Sequence, residues 1–177
     1  IDKAKKYGKF SKIVLVINKR HKAHVQKLKI NDVKMKTEIG IDEIKELIPH
    51  RDPFLFLDKL FNIEKLNSAT GFKVFKENEP FFNGHFPEKS VVPGVIIVEM
   101  MAQTAAALIA YSIKEETFDK IVYLMNISET KFRKPVFPDD EVYAFVKSTR
   151  SRGRVWKFNG IARDKDKNII AESSWSA

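Results

Sequence analysis

The chain has four histidines, His21, His24, His50 and His85, and no cysteine, so thiolate nucleophiles, thiolate metal clusters and disulfides are excluded. His21 and His24 lie in a strongly basic amino-terminal stretch, which leaves His50 and His85 as the imidazoles available for acid-base chemistry in the body of the chain. His85 is the better placed. It sits in Asn83-Gly84-His85-Phe86-Pro87, where glycine permits an unusual backbone and proline stiffens the exit, so the ring can be aimed. A lone histidine in a loop more often serves structure than catalysis. Glu99 alters that balance, because an ionisable side chain inside the apolar run Val95 to Ala110 is costly unless it is paired, neutral or useful. Desolvation is expected to raise its pKa, and a carboxylic acid held protonated can donate a proton while a neutral imidazole accepts one. Such a pair suits an elimination. The plainer reading gives Glu99 a hydrogen bond to Gln103, four residues on and on the same helical face, and the two readings combine if Gln103 orients Glu99.

A third component comes from the start of the helix that must carry Glu99. Pro93 has no amide hydrogen, and Gly94 and Val95 follow with free N–H groups at the positive end of the helix dipole, able to polarise a carbonyl. Gly94 lacks a Cβ, which would let substrate approach closely. At 1.5 Å of rise per residue Glu99 lies roughly 7 to 8 Å along the axis, and its side chain leans back towards the same end.

The element positioning these groups is predicted as one helix from Gly94 to about Ile113, rich in Ala, Met and Leu and apolar all round. Its length would suit a membrane span, but Glu99, Gln103 and Thr104 favour a core helix wrapped by a sheet. A short helix precedes it in the chain, with Ile41, Ile44, Leu47 and Ile48 on one face and Pro49 as its stop. Strands are expected at Phe54 to Leu60, Ile63 to Phe75, Ile121 to Ser128, Glu129 to Val136, Glu141 to Thr149, Val155 to Asp164 and Asn168 to Trp175. Turns are expected at Pro138-Asp139-Asp140, Ser151-Arg152-Gly153 and Asp164 to Lys167, and an ordered loop over Asn78 to Pro87. The result is an α+β domain with an antiparallel sheet around one long helix.

Length and composition set the frame. The 177 residues, 44% of them apolar, suffice for one domain with a core over residues 38–177. The net charge of +9 is uneven: residues 1–37 hold 12 Lys and Arg against 2 Asp and Glu, leaving 20 against 21 for the rest. A basic body would point to nucleic acid, but here the excess belongs to the leader, so no nucleic-acid partner is expected. The leader begins with Ile, lacks a sustained period and is poor in acids, as expected of a transit-peptide remnant or, more plainly, a basic tail.

The body resembles the Z-type β-hydroxyacyl-acyl carrier protein dehydratases of type II fatty acid synthesis. The resemblance runs from about Ile41 to Ala177 and is carried by Leu47-Ile48-Pro49-His50-Arg51-Asp52-Pro53-Phe54-Leu55, Asn78 to Pro87, Val92-Pro93-Gly94-Val95 leading to Glu99-Met100-Met101-Ala102-Gln103, and Lys131 to Val136. It implies a hot-dog fold and homodimers that also assemble as hexameric trimers of dimers. It implies dehydration of a (3R)-3-hydroxyacyl chain, carried on the phosphopantetheine of acyl carrier protein, to the trans-2-enoyl product. His85 would take the C2 proton, Glu99 would assist departure of the C3 hydroxyl, and Gly94 and Val95 would bind the thioester carbonyl. No metal or redox cofactor and no membrane span are implied. Glu99, where the isomerising A-type enzymes carry Asp, favours simple dehydration. With this family the basic leader is expected to address a plastid or apicoplast stroma; without such targeting the enzyme is expected in the cytoplasm. Two residues depart from the pattern: Asp52 stands for an aromatic residue and Asp139 for a turn glycine. A hot-dog acyl thioesterase is the alternative, and a silent acyl-binding or nucleic-acid-binding protein a more distant one. Docking of an acidic carrier is expected on Lys131, Arg133, Lys134, Arg150, Arg152 and Arg154.

Overall fold

A computed structural model describes residues 38–113 and 121–177. The expectations for residues 1–37 fall outside the described residues. The chain opens with β1 (Glu38–Gly40) and α1 (Ile41–Leu47), followed by β2 (Lys59–Glu64), β3 (Ser68–Val74), a 3₁₀ turn at Pro80–Asn83, α2 (Gly94–Ile113), β4 (Asn126–Phe132), β5 (Glu141–Arg152), β6 (Val155–Arg163) and β7 (Ile169–Ser176). The strands form one antiparallel sheet in the order β1-β2-β3-β5-β6-β7-β4. α2 packs on β2, β3, β5, β6 and β7, which is the hot-dog arrangement.

Along β5, alternation places Val142, Ala144 and Val146 in the core. α2 buries Ile97, Met100, Met101, Ala105 and Leu108 against this face, together with Gln103 and Thr104. Among the described residues α2 alone is long and apolar enough to cross a membrane, and its enclosure by the sheet makes it the core helix. Two glycines let it lie close. A Cβ on Gly71 of β3 would collide with the Thr104 side chain, and one on Gly160 of β6 would meet Met101 Sδ at 2.7 Å.

Three expectations about strands change. Residues 54–57 form no strand, and two of their backbone groups are taken by a side chain of α2: Phe56 N–H donates to Gln103 Oε1 (2.8 Å) and Phe54 C=O accepts from Gln103 Nε2 (3.0 Å). The strand begins instead at Lys59, and Lys65 to Asn67 turn β2 into β3. The two strands expected over Ile121 to Val136 are a single one, β4, paired among the described residues only with β7. β5 runs on to Arg152, so the hairpin turn falls at Gly153, whose φ of +60° suits glycine. Asp139 adopts φ +64°, the left-handed conformation expected to be tolerable there, with Asp140 Oδ2 accepting from Phe137 N–H at 2.8 Å.

Candidate active site

His85 lies on the loop between the 3₁₀ turn and α2, and that loop is fastened at both ends. Phe81 packs edge-on to Phe56 and Phe75, each pair about 6 Å apart between ring centroids, while Phe82 is buried. Lys73, 7% exposed, reaches Glu79 (3.0 Å) at the head of the turn and Asp58 (3.4 Å) beside β2. A cation this deep persists only because both carboxylates compensate its lost hydration. The sequence patterns did not single out this ion triad. At the far end Val92 N–H donates to Val136 C=O at 2.9 Å.

His85 and Val91 clamp each other across the loop. Val91 N–H donates to the His85 carbonyl (2.9 Å), and the His85 ring meets the Val91 carbonyl through Nδ1 at 2.8 Å. A carbonyl can only accept, so Nδ1 carries the proton, and in the neutral ring Nε2 is left bare as a base. The ring stacks on Phe86 with centroids 4.1 Å apart. The aiming anticipated from Gly84 comes from these contacts instead, since Gly84 has φ −121°, which any residue adopts.

His85 opens onto a cavity of about 550 Å³ whose walls include Gly94, Val95, Ile97, Phe132 and Ile170, with Arg133 and Lys134 beside them. α2 therefore points its amino end into the same space. Ile96 N–H is bonded to Pro93 C=O (2.9 Å), whereas the N–H groups of Gly94 and Val95 have no backbone acceptor among the described contacts. The Cβ-less side of Gly94 is not open, because the Phe132 ring covers it.

Glu99 is not among the residues lining that cavity. Its carboxyl group is drawn away towards the loop after α1: Gln103 Nε2 donates to Oε1 at 3.0 Å, as the helical spacing predicts, and His50 Nε2 lies 3.5 Å from the same oxygen. The expected rise in the Glu99 pKa is overturned. His50 is the largest influence and lowers it through its hydrogen bond, burial opposes, and Gln103 lowers it further, so the net direction is below the ordinary carboxylate value. The residue missed as a partner is His50. Its signal was a histidine directly after the helix-ending Pro49, but its meeting with Glu99 spans 49 residues of sequence. Arg51 holds the turn, its guanidinium donating to the carbonyls of Lys45, Ile48 and His50 at 2.7–2.9 Å.

The other expected cations divide into two sets. Lys131 pairs with Glu129, Arg133 with Glu172 and Lys134 with Asp164. Arg150, Arg152 and Arg154 are exposed about the β5–β6 hairpin.

A family model described as the FabA-like domain matches residues 48–173. A 3-hydroxyacyl-[acyl-carrier-protein] dehydratase FabZ of Rhodospirillum rubrum is 46% identical over 143 residues, covering 81% of this chain and 89% of that protein. The FabZ of Gluconobacter oxydans is 49% identical over 139 residues, covering 78% and 82%. Among solved structures the dehydratase heterocomplex ApeI:P of Xenorhabdus doucetiae superposes with a TM-score of 0.64 at 15% identity, covering 75% of this chain and 88% of that one, a likeness of fold. Family model and sequence identity together show that this chain belongs to the FabZ-type 3-hydroxyacyl-[acyl-carrier-protein] dehydratases, enzymes of the FabA-like domain family.

Proposed function

We propose that residues 38–177 dehydrate (3R)-3-hydroxyacyl chains on acyl carrier protein to the trans-2-enoyl thioester in type II fatty acid synthesis, with His85 as base and Glu99 as acid. The observation that carries the assignment is the cavity in which His85 meets the amino end of α2. The amides of Gly94 and Val95 hydrogen-bond the thioester carbonyl, which stabilises the enolate-like charge that develops when C2 loses its proton. Nε2 of His85, bare because Nδ1 is committed to Val91, takes that proton. The C3–O bond breaks as Glu99 delivers a proton to the hydroxyl, which leaves as water. Glu99 rests ionised, so it must first take up a proton. Substrate covering its 23% exposed carboxyl would strip water and push the pKa upwards. Gln103 orients the carboxyl throughout.

Because Glu99 stands outside the His85 cavity of its own chain, the reading is of a homodimer in which the partner supplies the acid, and of hexamers built from such dimers. Arg133 and Lys134 at the cavity suit the rim over which an acidic carrier would settle. A plastid or apicoplast address is a separate proposal, supported by the 12 cations against 2 acids in residues 1–37. The relatives named above offer it no support, and a cytoplasmic site is the fallback. Fusion of residues 1–37 to a fluorescent reporter tests it: plastid accumulation is expected, and a diffuse cytosolic signal refutes it.

The reaction is tested by incubation with 3-hydroxybutyryl-carrier protein. Appearance of the enoyl thioester is expected. Free acid would instead indicate a thioesterase, which the 46–49% identity to dehydratases argues against, and no turnover would indicate a binding protein.

A further inference from the structure

We propose that His50 is a positioning residue for Glu99, and that its contact, with that of Gln103, fixes Oε1 and leaves Oε2 as the oxygen that carries the transferred proton. This rests on the reading of Glu99 as the acid of the dehydration. Both described partners of the carboxyl group converge on Oε1, Gln103 Nε2 at 3.0 Å and His50 Nε2 at 3.5 Å. Neither partner is free to wander. Gln103 is 1% exposed and has its amide fully committed, with its oxygen on Phe56 N–H and its nitrogen shared between Phe54 C=O and Glu99. That pattern fixes which end of the amide faces Glu99, since only nitrogen donates.

His50 is set by Pro49 before it and by Arg51 after it, whose guanidinium is bonded to the His50 carbonyl and to two carbonyls of the preceding helix end. Its Nδ1 is buried and has no hydrogen-bond partner among the described residues. A buried N–H without an acceptor is rarer and more costly than an unused lone pair, so the imidazole proton belongs on Nε2, facing the carboxylate. The Gln103 hydrogen bond and the His50 contact fall on one oxygen and leave the other to exchange a proton. The depressed pKa of Glu99, of which His50 is the first cause, agrees with a donor at this position.

The test uses the full chain, with 3-hydroxybutyryl-carrier protein as substrate and melting curves to confirm folding. His50→Leu and His50→Gln are measured alone and combined with Glu99→Gln. His50→Phe, a ring without an N–H, replaces the leucine variant if that one does not fold. His50→Leu should lower kcat about 10- to 100-fold with KM within about twofold, and His50→Gln, which restores a donor, should recover most of the loss. In the Glu99→Gln background the leucine change should alter the residual rate by less than about twofold, because the two residues act through one carboxyl group. A native kcat for His50→Leu, equal losses in both backgrounds, or a glutamine variant no better than leucine would overturn the proposal. Full activity of Glu99→Gln alone would instead overturn the acid role of Glu99 and is read separately.

Discussion

The ring of Phe132 lies over the α-carbon of Gly94 so closely that a methyl group there would meet Cε1 at 2.7 Å and Cζ at 2.9 Å. Gly94→Ala should therefore push the ring aside. Phe132 is 56% exposed and can swing towards solvent, so the loss of stability should fall at the low end of the ~1–3 kcal/mol of an overpacked site. Phe132 also lines the cavity, so its displacement should raise KM. Phe132→Ala in the same chain should restore melting. An unchanged melting temperature for Gly94→Ala alone would show that the ring does not constrain this position.

The environment of Glu99 makes a pH prediction. Its folded-state pKa is depressed, with His50 the first cause and Gln103 acting alongside against burial. The contribution to stability is thus fully present above the unfolded value and is lost as pH falls through the depressed folded value. Glu99→Gln should melt below the native protein at pH 7, and this gap should narrow on acidification into that range. A gap that is constant or widens towards low pH would contradict the pairing.

Docking of the carrier is expected to depend on charge. Arg133→Glu and Lys134→Glu should raise KM for carrier-bound substrate and leave short thioester analogues less affected, and added salt should act the same way. Each cation already faces an acid, Glu172 and Asp164, and these partners keep the side chains at the cavity rim. Charge reversal at Arg150, Arg152 and Arg154 tests whether docking extends to the β5–β6 hairpin. Equal effects on carrier-bound and short substrates would exclude a docking role.

How far the sequence could be read depended on the distance over which each interaction acts. The bounds of α2 were legible because Pro93 marks the start and the helical pattern is local, and Gln103 was legible as the Glu99 partner because helix geometry brings residues four apart together. The segment Phe54 to Leu57 misled for the opposite reason. Its β-type composition was overridden by Gln103, an α2 side chain 47 and 49 residues away that takes its backbone groups. The sign of the Glu99 pKa shift failed in the same way: burial was visible in the apolar run, but the larger influence, His50, comes from a distant loop. The backbone freedom expected of Gly84 is not required at its φ of −121°, and the clamp to Val91 that aims His85 leaves no trace in composition.

Whether His85 and Glu99 complete one dehydration site across two subunits is tested most directly by mixing two inactive variants. His85→Ala and Glu99→Gln should each fold and lose activity by about 10²- to 10⁴-fold. When the two are mixed under conditions that exchange subunits, the heterodimer has one site with both groups intact and one with neither. Dehydration of 3-hydroxybutyryl-carrier protein should then return towards half the native rate per heterodimer. If exchange is verified by mass and the mixture stays as inactive as its parents, the shared site is refuted.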